Sequence, residues 1–298
     1  MPTYDEVVGT YHAGCFPLPP ATALRGGAVT SYFGVRVTQP DGFRAVTIDL
    51  HVPAAATRPV RPIIFASGGG FRINSPIAGP WIHLVEDGFA VACVTYRLSS
   101  EAPHPAPVAD VKAVVRWLRA HGDQLGIDAD KVGAFGMSAG GYLVCFAASN
   151  PQHGEHDEAL PCHLELSSEL NAVAAYFPPS DYLELVEDNG GDAVEVPGVP
   201  GASEVRYLGY VPRDAPDRNR ESSLIEAVGA GTPLHFLAHG TADRRVNIKQ
   251  SDRLAEALRR HGRLVDYVRI DGADHGGPEF FERQLSQKVA DFLTDALQ

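Results

Sequence analysis

The sequence lacks the features that mark membrane and nucleic-acid-binding proteins. It has no stretch of about 18 uninterrupted apolar residues, so no membrane-spanning helix is predicted. Basic residues are outnumbered by acidic ones, 25 against 37, and the formal net charge of −12 repels nucleic acid and anionic membranes. No internal repeat or low-complexity tract is present. We therefore expect neither a nucleic-acid partner nor a membrane partner.

Cysteine is scarce, with four residues in a chain of 298. Cys93 is expected in a buried strand and Cys145 in a buried helix, where cysteine acts as a small apolar side chain. Cys15 and Cys162 are expected in loops, and nothing in the sequence indicates that they pair. Residues 1–6 contain neither a basic nor an apolar stretch, so we expect no signal peptide and a cytoplasmic protein. The sequence does not indicate a homo-oligomer.

Apolar runs typical of strands alternate with helical patterns, and 44% of the residues are hydrophobic, enough for a large core. Strands are predicted at about 32–38, 44–51, 62–66, 90–95, 131–136, 171–177, 233–238 and 264–270. Helices are predicted at about 76–87, 107–121, 139–149, 247–261 and 278–297. This alternation predicts the α/β class: a mostly parallel, doubly wound, eight-stranded sheet with helices on both faces.

The chain is expected to form a single domain, residues 1–298, with two departures from the regular alternation. An irregular segment is expected at about 1–30. Residues 178–223 interrupt the pattern with an acidic stretch from Asp181 to Glu204 that is punctuated by glycine and proline. We interpret residues 178–223 as a small cap over a site.

A glycine-flanked serine stands where a buried strand turns into a helix. The residues are Gly136-Met137-Ser138-Ala139-Gly140-Gly141, after the strand that ends near Phe135. Such a turn is too tight for side chains at Gly136 and Gly140, and it directs the hydroxyl of Ser138 into a cleft above the sheet. Ser138 is therefore a candidate nucleophile.

A serine hydroxyl is a weak nucleophile and needs a histidine base that is oriented by a carboxylate. Asp243 follows the predicted strand at 233–238, and His275 follows the predicted strand at 264–270. Parallel strands bring both loops to the same edge of the sheet as Ser138. The three residues are thus the predicted catalytic triad, with His275 as the base.

An oxyanion hole requires backbone amides that no side chain blocks. The loop Ser67-Gly68-Gly69-Gly70-Phe71 follows the predicted strand at 62–66 and meets this requirement. We predict that the amides of Gly69, Gly70 and Ala139 form the hole. The neighbouring Phe71 and Arg72 are candidate substrate contacts.

These motifs together resemble the α/β-hydrolase superfamily. Within it, the chain is similar over about residues 30–297 to carboxylesterases of the hormone-sensitive-lipase-like and bifunctional feruloyl/acetyl-xylan esterase groups. The resemblance implies the α/β-hydrolase fold and hydrolysis of short-acyl or aryl esters through an acyl-serine intermediate, without a metal or an organic cofactor. Ser67 departs from these groups, which usually carry histidine there to brace the loop.

Several residues have competing interpretations. Asp181 also follows a strand and is an alternative acid, although Asp243 is favoured. His239 is expected to brace Asp243 rather than act as a base. Arg72 either contacts a substrate carboxylate or forms an ion pair with the acidic cap.

A group of His and Cys residues lacks the spacing of a metal site, and we interpret the segment that holds it as a solvated loop. Its members are His153, His156, Cys162 and His163. Two alternatives to an esterase remain at this point: an arylformamidase that uses the same triad, and a non-catalytic binding protein. The second is less favoured because all three triad members are present.

Overall fold

The structure, a computed structural model, describes residues 18–149, 160, 162–189 and 202–298. Its strands are β1 Thr22–Leu24, β2 Val29–Thr38, β3 Val46–Pro53, β4 Pro62–Ala66, β5 Ala90–Thr95, β6 Gly133–Met137, β7 Ala172–Tyr176, β8 Leu234–Gly240 and β9 Leu264–Ile270. Its α-helices are α1 Ile82–Glu86, α2 Ala106–His121, α3 Ala139–Ser149, α4 Tyr182–Asn189, α5 Ser203–Leu208, α6 Pro216–Glu221, α7 Leu224–Ala227, α8 Lys249–Arg260 and α9 Arg283–Ala296.

The strands form one sheet in the order β1-β2-β3-β5-β4-β6-β7-β8-β9. Pairing is antiparallel from β1 to β5 and parallel from β5 to β9. The chain crosses from β3 to β4 and back to β5 before it continues to β6. The loops after β4 and β6 therefore lie side by side at the carboxyl edge, where open α/β sheets bind their ligands.

Apolar side chains pack on both faces of the sheet. Ile64 and Ala66 of β4 belong to the core under α2, α3 and α8, and Ile63 and Phe65 belong to the core under α1 and α9. Successive residues of a strand point to opposite faces. A strand buried on both faces must therefore be apolar throughout, as the sequence of β4 is.

The predicted fold class is confirmed, and the predicted count of eight strands is wrong by one. The additional strand is β1, which pairs with β2 at the edge of the sheet. It lies inside the segment at about 1–30 that was expected to be irregular, and three residues are too few to show a strand pattern. Residues 1–17 lie outside the described part of the chain.

Two helices differ from their predicted bounds. The helix predicted at 76–87 is reduced to α1, because Gly79 adopts a φ of 151° and Phe65 fills the space beside it. The helix predicted at 278–297 is divided into a 3₁₀ turn, Pro278–Phe281, and α9. No helix within the described residues has both the length and the apolar character that a membrane span requires.

The buried cysteines agree with the sequence at two positions and differ at a third. Cys93 and Cys145 are buried in β5 and α3 as expected. Cys162 is also buried, with Sγ 3.4 Å from the carbonyl oxygen of Val37, so the expectation of a solvated position there is wrong. The thiol fills a gap between β2 and α2. Cys15 lies outside the described residues.

Candidate active site

Ser138 occupies a strained turn between β6 and α3. Its φ is 53°, in the left-handed region that residues with side chains rarely adopt. A Cβ atom on Gly136 would lie 2.4 Å from the carbonyl oxygen of Gly140, and one on Gly140 would lie 2.1 Å from that of Ala66. The turn therefore forms only with glycine at both flanking positions, and it raises the serine hydroxyl above the sheet edge.

The structure brings Ser138, His275 and Asp243 together. Nε2 of His275 lies 2.9 Å from Oγ of Ser138, and Nδ1 of His275 lies 2.7 Å from Oδ2 of Asp243. Ser138 is 9% exposed, and the imidazole of His275 is 15% exposed. The hydroxyl can donate to Nε2 while Nδ1–H donates to the carboxylate, which is the arrangement that removes a proton from serine.

The carboxylate of Asp243 is fully buried and held on both oxygens. Oδ1 accepts from the backbone amides of Arg245 and Val246 at 2.9 and 2.8 Å. Oδ2 is shared by His275 and His239. Burial by itself raises the pKa of this carboxyl, but the hydrogen bonds from the two histidines outweigh it, and the pKa lies below its usual value. Asp243 is therefore an anion at neutral pH.

His239 braces Asp243 at Oδ2, the same carboxylate oxygen that His275 contacts. Its Nδ1 lies 2.6 Å from Oγ of Ser251, and its Nε2 lies 2.8 Å from the carbonyl oxygen of Val246 and 3.2 Å from Oδ2 of Asp243. Since a carbonyl oxygen only accepts, Nε2 carries the hydrogen and Nδ1 accepts from Ser251. The imidazole is 0% exposed, so it has no access to a substrate.

Asp181, the alternative acid, is occupied elsewhere. Its Oδ1 accepts from the backbone amides of Leu183 and Glu184 at the start of α4, and from Nδ2 of Asn219 at 3.0 Å. Its Oδ2 accepts from Oγ of Ser223 at 2.8 Å. The carboxylate thus caps a helix and ties the segments around it together, whereas Asp243 is the acid that contacts His275.

The glycine loop lies directly against the serine. A Cβ atom on Gly68 would be 3.1 Å from Cβ of Ser138. Gly69 has a φ of 136°, and a Cβ atom there would lie 2.1 Å from the carbonyl oxygen of Ile73. Gly69, Gly70 and Ala139 all line the cavities that contain Ser138. The predicted hole donors are therefore grouped around the reactive hydroxyl.

Ser67 braces this loop in place of the usual histidine. Its Oγ accepts from the backbone amide of Ser75 at 2.9 Å. Its carbonyl oxygen accepts from the hydroxyl of Tyr96 at 3.0 Å. The side chain is 2% exposed, so both bonds are shielded from water. Ser67 and the buried Tyr96, the residue after β5, thus support the loop.

Two cavities meet at Ser138. One, of about 350 Å³, is lined by Gly68, Gly69, Gly70, Ile73, Ala78, Met137, Ser138, Phe177, Arg245, His275, Gly276 and Phe281. The other, of about 50 Å³, is lined by Gly70, Phe71, Ser138, Ala139, Pro179, Tyr182, Leu185, Asn189, Ser203, Glu204, Arg245 and Val246. We call them the larger and the smaller cavity. Only the larger one includes His275.

The two predicted substrate contacts have different positions. Phe71 is buried, its ring is stacked on Tyr207 with centroids 3.7 Å apart, and it lines the smaller cavity. Arg72 is exposed and is not among the residues that line either cavity. The expectation that Arg72 contacts substrate is therefore not supported by its position. The arginine at the site is Arg245, which lines both cavities.

Sequence reasoning missed Phe177 and Arg245. The ring of Phe177 lies 4.5 Å from the imidazole of His275, and its φ of 40° indicates a strained backbone at the end of β7. Phe177 directly follows β7 and Arg245 lies in the loop after β8, so the sequence indicates the sheet edge at which both lie but not their contacts with the site.

The group of residues that resembled metal ligands is only partly described. His153 and His156 lie outside the described residues. Cys162 is buried, and His163 lies 3.5 Å from Glu165. Within the part of the chain that the structure describes, no three His, Cys, Asp or Glu side chains are grouped so that they could hold a metal ion.

The fold and the grouping of serine, histidine and aspartate define an α/β-hydrolase. Residues 48–258 match the model of the BD-FAE family, and the chain belongs to that family. The predicted family resemblance is thereby confirmed.

Curated relatives and solved structures with similar sequences are esterases by name. Esterase LipC of Mycobacterium tuberculosis is 26% identical over 74% of this chain and 54% of LipC. Esterase LipQ of the same organism is 27% identical over 98% of this chain and 69% of LipQ. The chain thus spans about half of the length of LipC and two thirds of that of LipQ.

Two solved structures extend the comparison. A truncated form of a carbohydrate esterase from gut microbiota superposes with a TM-score of 0.80 at 26% identity, covering 92% of this chain and 98% of that chain. The butyrate-bound thermophilic esterase Est2 of Thermogutta terrifontis gives a TM-score of 0.68 at 25% identity, covering 86% of this chain and 91% of that chain.

Proposed function

We propose that this protein is a serine carboxylesterase that hydrolyses short-acyl esters through an acyl-serine intermediate. The observation that carries the proposal is the continuous contact from Ser138 through His275 to Asp243, at 2.9 and 2.7 Å. The proposal is also supported by LipC, LipQ and the carbohydrate esterase described above, which are similar proteins and esterases by name.

In the proposed mechanism, Nε2 of His275 takes the proton of Ser138 as Oγ attacks the ester carbonyl. The amides of Gly69, Gly70 and Ala139 hold the oxyanion that develops. His275 then gives the proton to the leaving alcohol, and the acyl group remains on Ser138. Water, deprotonated by the same imidazole, releases the acid. Asp243 keeps Nδ1 protonated throughout, so that Nε2 is free to accept.

The two cavities hold different parts of the ester, the alcohol and the acyl group. The leaving oxygen must lie within hydrogen-bond reach of Nε2 of His275 to receive its proton. The larger cavity contains His275 and is assigned to the alcohol. The smaller cavity contains Ala139 and Gly70 without His275 and is assigned to the acyl group. Its volume is about 50 Å³ against about 350 Å³ for the larger cavity, so short acyl groups fit best.

We further propose that residues 178–223 act as a cap that closes the acyl side. Support comes from the side chains that this segment adds to the wall of the smaller cavity: Pro179, Tyr182, Leu185, Asn189, Ser203 and Glu204. Residues 190–201 lie outside the described part. Glu204 is buried in the wall of the smaller cavity, and its carboxyl group disfavours an anionic acyl group.

The proposal is tested with nitrophenyl esters of acids from two to twelve carbons. The specificity constant should be highest at two to four carbons and fall for longer chains. Leu185→Ala should move the maximum to longer chains because it enlarges the smaller cavity, whereas Leu164→Ala, at an exposed position outside both cavities, should not. A maximum at eight carbons or more in the unmodified protein would contradict the assignment of the acyl side.

A cytoplasmic location remains a further proposal. It is supported by the buried thiols of Cys93 and Cys145, which suit a reducing compartment. Cell fractionation with an antibody to the chain tests it, and recovery outside the cytoplasm would overturn it.

A further inference from the structure

The glycine loop follows an unfavourable backbone path that leaves two hydrogen-bond donors unpaired. Gly69, Gly70 and Phe71 follow one another with φ angles of 136°, 59° and 58°. Phe71 is the one member of the three with a side chain, and such residues rarely adopt this conformation. Within the described residues, the backbone amides of Gly69 and Gly70 donate to no acceptor, so they are available to an oxyanion. The surroundings of Phe71 must therefore hold the loop in this shape.

The ring of Phe71 packs on Tyr207, a residue of α5 in the proposed cap. The two rings are stacked with centroids 3.7 Å apart and an interplanar angle of 10°, and both are buried. The start of α5 also lies against the loop, because a Cβ atom on Gly70 would be 2.7 Å from Oγ of Ser203. Tyr207 is not among the described residues that line either cavity. It therefore contacts the loop and not a bound ester.

His104 fixes Tyr207 to a segment outside the cap, between β5 and α2. The backbone amide of His104 donates to the carbonyl oxygen of Tyr207 at 2.6 Å. Nδ1 of His104 lies 3.0 Å from the hydroxyl oxygen of Tyr207. Since both the main chain and the side chain of Tyr207 are held, its ring is a fixed surface for Phe71 to pack against.

From these contacts we propose that Tyr207 is a positioning residue for the oxyanion hole. The stacked ring keeps Phe71 in its left-handed conformation, and this keeps the amides of Gly69 and Gly70 directed at the oxyanion. The inference rests on the proposed esterase function. Acylation and deacylation both pass through an oxyanion, so both steps depend on the stack. The cap thus supports the chemistry in addition to lining the smaller cavity.

The first measurement is the steady-state hydrolysis of p-nitrophenyl acetate by variants of Tyr207. Tyr207→Leu removes the ring, so the loop relaxes and its amides move. The kcat should fall by about 10- to 100-fold, and KM should change by less than about threefold, because the hole binds the transition state. Tyr207→Met also removes the ring, and its flexible side chain fills the space, so the test does not depend on how leucine packs. Tyr207→Phe keeps the stack and should retain kcat within about threefold.

The second measurement is inhibition by a trifluoromethyl ketone, which forms an oxyanion adduct with Ser138. Its inhibition constant should rise in Tyr207→Leu and Tyr207→Met by about the factor by which kcat falls. The constant of the matching methyl ketone, which stays uncharged, should not change. Tyr210→Leu is the control, because Tyr210 packs against the guanidinium of Arg218, 4.2 Å from its ring centroid, and not against Phe71. It should leave kcat and both inhibition constants unchanged.

Three results would overturn the positioning role of Tyr207. They are an equal fall of kcat in Tyr210→Leu, an equal fall in Tyr207→Phe, and an unchanged inhibition constant of the trifluoromethyl ketone in Tyr207→Leu and Tyr207→Met. Failure of the proposed esterase function is a separate outcome, in which the unmodified protein neither hydrolyses the ester nor binds the trifluoromethyl ketone.

Discussion

Ser138 and His275 act as a unit, because the hydroxyl attacks only when the imidazole removes its proton. Ser138→Ala and His275→Ala should each lower the turnover of a short nitrophenyl ester by about 10⁴-fold or more. Alanine fits at both positions, so the circular dichroism spectrum and the thermal midpoint should change little. A phosphonate inhibitor should label the unmodified protein at Ser138. Labelling of another serine together with retained turnover would contradict the assignment.

The acid can be identified by two matched substitutions. In Asp243→Asn, the amide oxygen replaces Oδ1 and accepts from Arg245 and Val246, so the NH₂ group faces His275. That group donates to Nδ1 and forces the hydrogen onto Nε2, which can then no longer accept from Ser138. Turnover should fall roughly 10²- to 10⁴-fold.

Asp181→Asn is the control for this substitution, since Asp181 bonds α4, Asn219 and Ser223 instead of His275. It should change stability more than turnover. If Asp181→Asn proved the more damaging to turnover, the acid would have to be moved to the end of β7.

At the scale of single elements, the loop between β4 and α1 has no room for an added side chain at Gly69. Gly69→Ala places a Cβ atom 2.1 Å from the carbonyl oxygen of Ile73, so the loop must shift and its amides move away from the oxyanion. Loss of one donor costs about 2.7–4 kcal/mol, and the specificity constant should fall by about 10²- to 10³-fold.

Gly231→Ala is the matched control for the loop, because no atom lies within 4 Å of the Cβ that it adds. Its specificity constant should equal that of the unmodified protein. An equal loss in both variants would show that glycine replacement acts through folding rather than through the oxyanion.

Strand β8 contains a buried histidine that makes stability depend on pH. His235 is 1% exposed, and burial lowers its pKa to about 4, although the bond from Nδ1 to the carbonyl of Pro233 opposes this. Nε2 has no hydrogen-bond partner among the described residues, so protonation would bury an unsatisfied donor. The unfolded chain takes up this proton below about pH 6.5, whereas the folded one does so only near pH 4.

Unfolding free energy should therefore decrease as pH falls from about 6.5 to 4, and His235 accounts for up to about 3 kcal/mol of that decrease. His235→Phe should show a shallower slope in chemical denaturation over this range. His261→Phe, at an exposed position, should keep the original slope. Equal slopes for the three proteins would show that His235 is not the cause.

The elements that the sequence predicted well are those whose burial shows in their composition. β4, β6 and β7 are apolar runs between turn residues because both of their faces are covered. β1 has three residues, too few to show a strand pattern. The helix α1 is shorter than predicted because Gly79 packs against the ring of Phe65, a residue of another element. Where such elements begin and end depends on packing between distant segments, and the local sequence pattern carries no information about that packing.

At the scale of the whole molecule, Ser138, Asp243 and His275 were predictable because each stands in a recognisable loop after a strand. Phe177 and Arg245 were not, because their places beside His275 and Ser138 depend on how β7, β8 and β9 pair. Ser67 lies between these cases: the departure from the related groups was visible in the sequence, but its bonds to Ser75 and Tyr96 required the fold.

The register of the parallel strands sets the distances between the catalytic residues. Met137, directly before Ser138, pairs with Tyr176, and Tyr176 pairs with Ala238. Sliding one strand by a single residue would move its loop by about 3.3 Å, more than the 2.9 Å that joins Ser138 to His275. At the other edge, where the parallel strands begin, strand register fixes no distance between reacting atoms. The turns at Gly126 and Gly262 are exposed there, and no neighbouring atom crowds either glycine. New chain termini or a fused domain therefore belong at that edge, where the distance between the reacting atoms is not altered.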